Sequence, residues 1–574
     1  MARLRKIEIS HFRSIKSLSW LPRPGLNCLI GPGDSGKSTV LDAIDLCLGA
    51  RRAVQFNDAD FHSLDVTTPI SITLTIGALD DALKSFDSYS LYLRGFNVVT
   101  GEIEDEPERG LETVLSLNLT VGSDLEPSWN LISDRAQAQG AARNLAWGDR
   151  LRLAPTRIGA LTDFNLNWRR GSVLNRLTDE RADASAALAQ AARDARGAFG
   201  EDAEKQLGET LRLVGEAAAE LGIDVGKKVR ALLDAHSVSF GGGTISLHDE
   251  DGVPLRGLGI GSTRLLTAGL QRKAAAQSSM LLVDELEHGL EPHRIIRFLG
   301  SLGAKEPEPP LQVFMTTHSP VALRELSADQ LVVLREIGGR HEPLHLGNDP
   351  EVQGTIRSFP EAFLASSVVV CEGASEVGLV RGLDQHWAAA GYNSVFASGT
   401  ALVNAGGEKN LIKLANAFQS LRYRTAILRD DDVPPDVTGE RSFVASGGLV
   451  VMWRQGRKLE EELFCSLPIA AIAELLTRAV AAKDEAVVND QLKSASGNLV
   501  TLTHVRTGLA ELSLSPATRA VLGKAAGGKR EPWFKSVSAM EDVGREVIGP
   551  AFNVSEPEFV GIVGSLFDWA HDVR

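Results

Sequence analysis

Cysteine is scarce in this 574-residue chain: Cys28, Cys47, Cys371 and Cys465 are all there are. Their wide separation excludes a zinc ribbon and a disulfide framework. Each lies in an apolar stretch, which predicts buried free thiols in a reducing cytoplasm. Long hydrophobic runs are also missing. None approaches the ~20 residues that a membrane-spanning helix needs, and the opening "MARLRKIEIS" has no apolar core of the secretory kind. Positive charge is in deficit, with 60 Lys and Arg against 74 Asp and Glu and a net charge of −14. That argues against coating nucleic acid through bulk charge. It leaves room for a local basic groove, or for metal ions that neutralise carboxylates beside a phosphate.

What is present is ordinary for a globular protein, at 43% hydrophobic and 23% charged residues. The length predicts three or four domains at about 150 residues each. "RKIEIS", "SITLTIG" and "VLSLNLTVG" alternate as half-exposed strands do, and "GLNCLI" reads as a buried strand. Residues 156 to 253 contain no proline and are rich in Ala, Leu, Glu and Arg, which predicts helix. A solvated helical hairpin and a dimerising arm fit that pattern equally. "SFGGGTISL" then returns to strand and turn character. Near "FPEAFLAS" a second module begins, with strands predicted at "SSVVVC", "RTAIL" and "GGLVVMW" and helix over "LPIAAIAELLTRAVAAKDEAVVNDQL".

The strongest motif is "NCLIGPGDSGKSTVLDAIDLCLG". Gly31, Gly36, Lys37 and Ser38 fit G-x-x-x-x-G-K-[ST], between a buried strand and an amphipathic helix. Such a loop, here running through Gly33, Asp34 and Ser35 to Thr39, wraps ATP phosphates with main-chain N–H groups. Lys37 reaches the outer phosphates and Ser38 offers its hydroxyl to Mg²⁺. In "SSMLLVDELEHGLEP" an apolar strand ends in Asp284, placed to hold the Mg²⁺ shell, and Glu285, placed to polarise water. "VFMTTHSP" brings His318 to the end of another strand, where it could sense the outermost phosphate.

A second acidic cluster follows in "VVVCEGASE", with Glu372 at a strand end, Gly373 in a turn and Glu376 in the first turn of a helix. A later strand runs into "RDDDVPP". In extended chain Asp430 and Asp432 point one way and Asp431 the other. Two strand ends bearing acids can converge at the C-terminal edge of a parallel sheet. Carboxylates gathered there repel unless hard divalent cations with oxygen ligands are present. Taken singly, each acid would read as a cap or a solvated turn; the ordered pattern argues for a site.

The N-terminal half resembles the ABC-type ATPases of the structural-maintenance-of-chromosomes and RecF kind. "ISHFRSIKSL" matches their opening strand around Arg13, "GLGIGSTRLL" resembles a degenerate signature motif at Gly261 and Ser262, and Asp60 stands near the Q-loop position. The resemblance implies ATP shared across a dimer. The signature departs from L-S-G-G-Q, which leaves the rate of hydrolysis open. Strand-E-G-x-x-E followed by strand-x-D-x-D resembles a TOPRIM domain. The two together resemble the OLD (overcoming lysogenisation defect) nucleases, and class 2 members such as the Gabija nuclease subunit, often encoded beside a UvrD-like helicase. The implied fold is α/β: an ABC-type ATPase over 1–155 and 236–360, a helical dimerisation insert over 156–235, and a TOPRIM domain with helical additions over 361–574. The implied function is an ATP-binding, Mg²⁺- or Mn²⁺-dependent DNA endonuclease in anti-phage defence or DNA processing, forming homodimers or larger homo-oligomers. Glu372, Glu376, Asp430, Asp432 and Glu460 (or Glu461) would hold metal, and Lys535 (or Lys529) would stabilise phosphate charge. A DNA-bridging ATPase with a non-catalytic TOPRIM domain is the alternative. Topoisomerase chemistry fits poorly, because Tyr89 and Tyr92 lie in the ATPase part and Tyr392 and Tyr423 in the TOPRIM core. Primase fits poorly for want of zinc-ribbon cysteines.

Overall fold

The computed structural model describes residues 2–51, 54–159, 166, 172–177, 185–220, 226, 228–231, 247–275, 279–433, 436–454, 456–528 and 530–572. They form two compact units, one of Met1–Ile30 with Asp34–His345 and one of Leu346–Arg574, with which Gly31–Gly33 are grouped. Among the described residues no helix is long and apolar enough to cross a membrane.

The first unit is built on thirteen strands in one sheet. They are β1 (Arg3–Phe12), β2 (Ile15–Trp20), β3 (Leu26–Ile30), β4 (Ile70–Gly77), β5 (Leu93–Phe96), β6 (Ile103–Glu104), β7 (Glu112–Val121), β8 (Pro127–Leu131), β9 (Thr156–Ile158), β10 (Met280–Val283), β11 (Gln312–Thr316), β12 (Leu331–Ile337) and β13 (Arg340–His345). β9, β10, β11, β3 and β12 run parallel in that order. Every residue of β3, β10 and β11 is buried, as expected of parallel strands covered on both faces. β1, β4 and β7 pair antiparallel beside this block. Helix α1 (Lys37–Leu48) follows β3 and buries Val40, Leu41, Ile44 and Leu48 in one core with Phe12, Leu29, Leu282 and Phe314. The parallel register brings the ends of β3, β10 and β11 to one sheet edge.

The helical segment expected from residue 156 begins with strand β9, since Leu281 and Val283 of β10 pair with Thr156 and Ile158. Its long helix, α2, runs Ser185–Glu220. The strand expected at "SFGGGTISL" falls mostly within 232–246, outside the described residues. Helix α3 (Ile260–Lys273) carries the signature-like stretch.

The second unit has four parallel strands, β14 (Ser367–Cys371), β15 (Thr400–Asn404), β16 (Arg424–Arg429) and β17 (Leu449–Met452), in the order β15-β14-β16-β17. Helices α4 (Ala374–Ala389), α5 (Glu408–Ser420) and α6 (Leu459–Ser466) pack with them. The long helix expected from Leu467 onward is two, α7 (Ile469–Lys483) and α8 (Glu485–Ser496), broken at Asp484 with φ 69°. Cys28, Cys47 and Cys371 are buried thiols, whereas Cys465 is half-buried, a departure from the expectation for all four.

α4 is held close to helix α9 (Val537–Val543) and the turn after it. A Cβ at Gly378 would lie 2.5 Å from the Val537 carbonyl oxygen, and one at Gly382 would lie 2.2 Å from that of Glu541. Backbone cannot give way as a side chain can. Gly382→Ala therefore destabilises the protein by about 1–3 kcal/mol through overpacking, although alanine is the better helix former. Gly561→Ala, on the exposed face of helix α10 (Pro557–His571) with nothing within 4 Å, raises stability by up to about 1 kcal/mol. Urea unfolding of the two variants checks both signs.

Candidate functional site

Two sites take shape, one in each unit. In the first, the chain leaves β3 through Gly31 (φ 144°), Asp34 (φ 57°) and Gly36 (φ 82°) and enters α1 at Lys37. Left-handed backbone at Gly36 is the conformation glycine tolerates. Ser38 Oγ donates to Asp284 Oδ1 at 2.9 Å, and Thr316 Oγ1 donates to the same oxygen at 2.8 Å. The N–H of Glu285 donates to Thr316 Oγ1 at 2.8 Å. Serine, aspartate and the end of β11 thus meet where a phosphate-bound Mg²⁺ would be held. Lys37 is buried and its Nζ donates to Ser35 Oγ at 3.2 Å. Burial lowers its pKa, opposed by the charge of Asp34.

Glu285 has φ 46°; its side chain is 65% exposed, with Oε2 3.8 Å from His288 Nδ1. His318 is exposed; its N–H donates to Glu287 Oε1 at 2.8 Å, and Thr317 Oγ1 donates to Glu287 Oε2 at 2.7 Å. Arg13 pairs with Asp60 at 2.9 Å and with Asp42. Asp60 also accepts the N–H of Asn57, so one of its oxygens serves the local turn and the other Arg13. Gly261 and Ser262 open α3, and Ser262 Oγ accepts a hydrogen bond from Arg294 at 3.0 Å.

Two arginines escaped sequence reasoning. Arg157, in β9, spans Asp42 at 2.5 Å and Asp45 and Asp284 at 3.4 Å. Arg264, in α3, is fully buried and donates to the carbonyls of Asp284 and Glu285, both at 2.9 Å, and of His288 at 3.3 Å. The partners lie on other elements, so spacing could not reveal them.

In the second unit Glu372 follows β14 and Asp430 follows β16, which are neighbours in register. The Asp430 N–H donates to Glu372 Oε2 at 3.0 Å, and the Leu459 N–H donates to Asp430 Oδ1 at 2.9 Å. Glu372, Asp430 and Asp432 each place an oxygen within 4.8 Å of the others. Asp431 turns away and accepts the Gly456 N–H at 2.9 Å. Glu376 is buried beside this trio and accepts the Gly373 N–H at 2.9 Å, closing the first turn of α4. Glu460 is buried on α6 with Ser375 Oγ 3.4 Å from its Oε1. Glu461 instead accepts the Lys458 N–H at 3.3 Å and lines a cavity of about 600 Å³ with Arg457, Arg519 and Lys524. Lys535 is exposed just ahead of α9, whose Val537 abuts Gly378 of α4. Lys529 lies outside the described residues.

Burial, then the charges of Glu376, Glu372 and Glu460, push Asp430 up to about 9. Burial, then Glu460 and Glu372, push Glu376 up to about 7. Glu372 is raised by burial first and by Asp432 and Glu408 in part. Oxygen donors gathered this closely suit Mg²⁺ or Mn²⁺.

A family model described as "AAA domain, putative AbiEii toxin, Type IV TA system" matches residues 26–324, more than half of the chain. A second, "Overcoming lysogenization defect protein-like, TOPRIM domain", matches residues 363–432. The chain belongs to this AAA family and has the domain pair of OLD proteins. The OLD-like match takes in Glu372, Glu376, Asp430 and Asp432. Among curated proteins, the DNA replication and repair protein RecF of Moorella thermoacetica is 42% identical over 55 residues, 10% of this chain and 15% of RecF. The chromosome partition protein Smc of Synechocystis sp. is 44% identical over 50 residues, 8% of this chain and 4% of Smc. The chain thus spans only a small part of these relatives' length. The Smc head of Pyrococcus furiosus, solved bound to the C-terminal domain of ScpA, aligns over 62% of this chain and all of that one at 14% identity and TM-score 0.34.

The raised carboxyl groups give stability a defined pH dependence. Unfolded, these acids titrate near 4; folded, they hold their protons to higher pH. Their contribution is full below pH ~4 and is lost as pH rises through about 7 and about 9. In EDTA the melting temperature falls between pH 5 and 9, and Asp430→Asn flattens that slope. Mn²⁺ raises the melting temperature more at pH 8.5 than at pH 5.5. Thermal melts across the range, with and without Mn²⁺, check all three.

Proposed function

We propose that the chain is a divalent-metal-dependent DNA endonuclease whose TOPRIM centre cuts under the control of an ATP-binding, ABC-type head. The observation that carries this reading is the convergence of Glu372, Asp430 and Asp432 within 4.8 Å at adjacent strand ends. Two Mg²⁺ or Mn²⁺ ions held there would supply an activated water and neutralise the leaving oxygen. Glu372, Asp430 and Asp432 ligate; Glu376 and Glu460, buried behind them, complete the negative shell. Lys535, at the head of α9, stabilises the charge that grows on the phosphate.

In the ATPase head, Gly31, Gly33, Asp34, Ser35, Gly36, Lys37 and Thr39 cradle the phosphates, and Ser38 and Asp284 hold Mg²⁺. Glu285 orients water, His318 faces the outermost phosphate, and Arg13 and Asp60 border the nucleotide. Gly261 and Ser262 meet ATP held by a second copy, so the working form is a homodimer or a larger homo-oligomer. Its place is the cytoplasm, its role anti-phage defence or DNA processing, and its class the class 2 or Gabija type with a UvrD-like helicase as partner.

The test is conversion of supercoiled plasmid to nicked or linear form, with Mg²⁺ or Mn²⁺, with and without ATP. Wild type cuts only with metal. Asp430→Ala cuts nothing yet binds ATP as wild type does, and Lys37→Ala loses ATP binding. Cutting by Asp430→Ala at the wild-type rate would sink the assignment. No cutting by wild type under any condition, with or without a candidate helicase, would favour a DNA-bridging ATPase.

A further inference from the structure

We propose that Lys458 competes with the divalent cation for Asp432 and, once displaced, binds a non-bridging oxygen of the DNA phosphate. The proposal rests on the nuclease reading above and adds a catalytic residue to it.

Lys458 Nζ lies 3.2 Å from Asp432 Oδ2. Among the described residues this is the only ion pair made by Glu372, Asp430 or Asp432. The other two acids take main-chain N–H groups, from Asp430 and Leu459, which bring no net charge. Burial works against the Lys458 ammonium, but its hydrogen bond to Asp432 and the charge of Asp432 outweigh it and raise its pKa. The cation is held against one carboxylate, that of Asp432.

The backbone beside it is hydrogen-bonded on both sides. Lys458 is the N-cap of α6 and its N–H is held by Glu461. The next N–H, of Leu459, is fastened to Asp430. Upstream, the Arg457 carbonyl accepts the Asp431 N–H at 3.0 Å, and Asp431 Oδ2 accepts that of Gly456. Glu462, fully buried, anchors Arg454 at 2.6 Å and Arg457 at 3.0 Å. These bonds join Asp430 and Asp431 to Gly456, Arg457 and Leu459, so Lys458 is held through its backbone neighbours. Its side chain keeps 28% of its surface exposed, so it has space to swing.

With a divalent ion held by Asp432, the Lys458 ammonium would face like charge and would leave its ion pair. A phosphate drawn to the same carboxylate-held ions carries negative oxygens, and a compact ammonium on a flexible stem is suited to bind them. The lysine would lower metal affinity and raise the rate of cutting, a pairing of effects that a purely structural residue does not produce.

The experiment is titration calorimetry of the full-length protein with Mn²⁺, alongside plasmid cutting at saturating Mn²⁺. Lys458→Met is expected to bind Mn²⁺ about threefold to tenfold more tightly, as loss of one partly exposed ion pair allows. Its cutting is expected to fall about a hundredfold, as for loss of one charge-stabilising donor. Lys458→Arg, which keeps the cation, restores wild-type Mn²⁺ affinity and part of the cutting. Equal Mn²⁺ affinity in Lys458→Met and wild type overturns the competition, whatever the DNA does. Undiminished cutting by Lys458→Met beside an active wild type overturns the phosphate role alone. A wild type that binds Mn²⁺ and cuts no DNA overturns the phosphate role together with the nuclease reading. A Lys458→Met protein that melts far below Lys458→Arg overturns the proposal in favour of a structural role.

Discussion

Like charges forced together govern the second half of this chain. Glu372, Asp430 and Asp432 bring their oxygens within 4.8 Å, and Glu376 and Glu460 are buried beside them. Such a group repels itself, and removal from water deepens the repulsion. The parallel pairing of β14 with β16 fixes where the strand ends lie. Main-chain N–H groups from Gly373, Asp430 and Leu459 supply partial compensation. Protons, which Glu376 holds up to about pH 7 and Asp430 up to about pH 9, relieve the rest, and above that range cations would have to. The glycine-lined contact of α4 with α9 serves the same end, because it fixes the helix whose first turn carries Glu376.

The first half solves a related problem with less burial. Ser38 in the first turn of α1, Asp284 after β10 and Thr316 at the end of β11 meet at one oxygen, Asp284 Oδ1. Arg157 supplies a fixed positive charge against Asp42, Asp45 and Asp284. The acidic turn of the ATPase is therefore already neutralised by protein, whereas the acids of the TOPRIM centre are compensated mainly by dipoles and one lysine. The two halves thus differ in how their acids are compensated, by arginine in the first and by main-chain dipoles in the second.

Much of this was legible in the sequence because the decisive features are local. A phosphate loop declares itself between a strand and a helix. Acids at strand ends stand out against apolar runs such as Val368–Cys371 and Ala426–Leu428. The turn-and-helix reading of Glu376 needed only its spacing from Gly373. What stayed hidden depends on long-range packing. Arg157, Arg264 and Lys458 find their partners on elements distant in sequence. The break at Asp484 was also invisible, since Ala-rich sequence on both sides favours helix and a single residue with φ 69° divides it.

Arg264 has a further consequence. Its guanidinium donates to three main-chain carbonyls, those of Asp284, Glu285 and His288, and to none of their side chains. What it recognises is the path of the backbone, not the identity of the residues along it. The hold of Arg264 on this turn is therefore indifferent to the side chains at 285 and 288, and what it fixes is the course of the chain after β10.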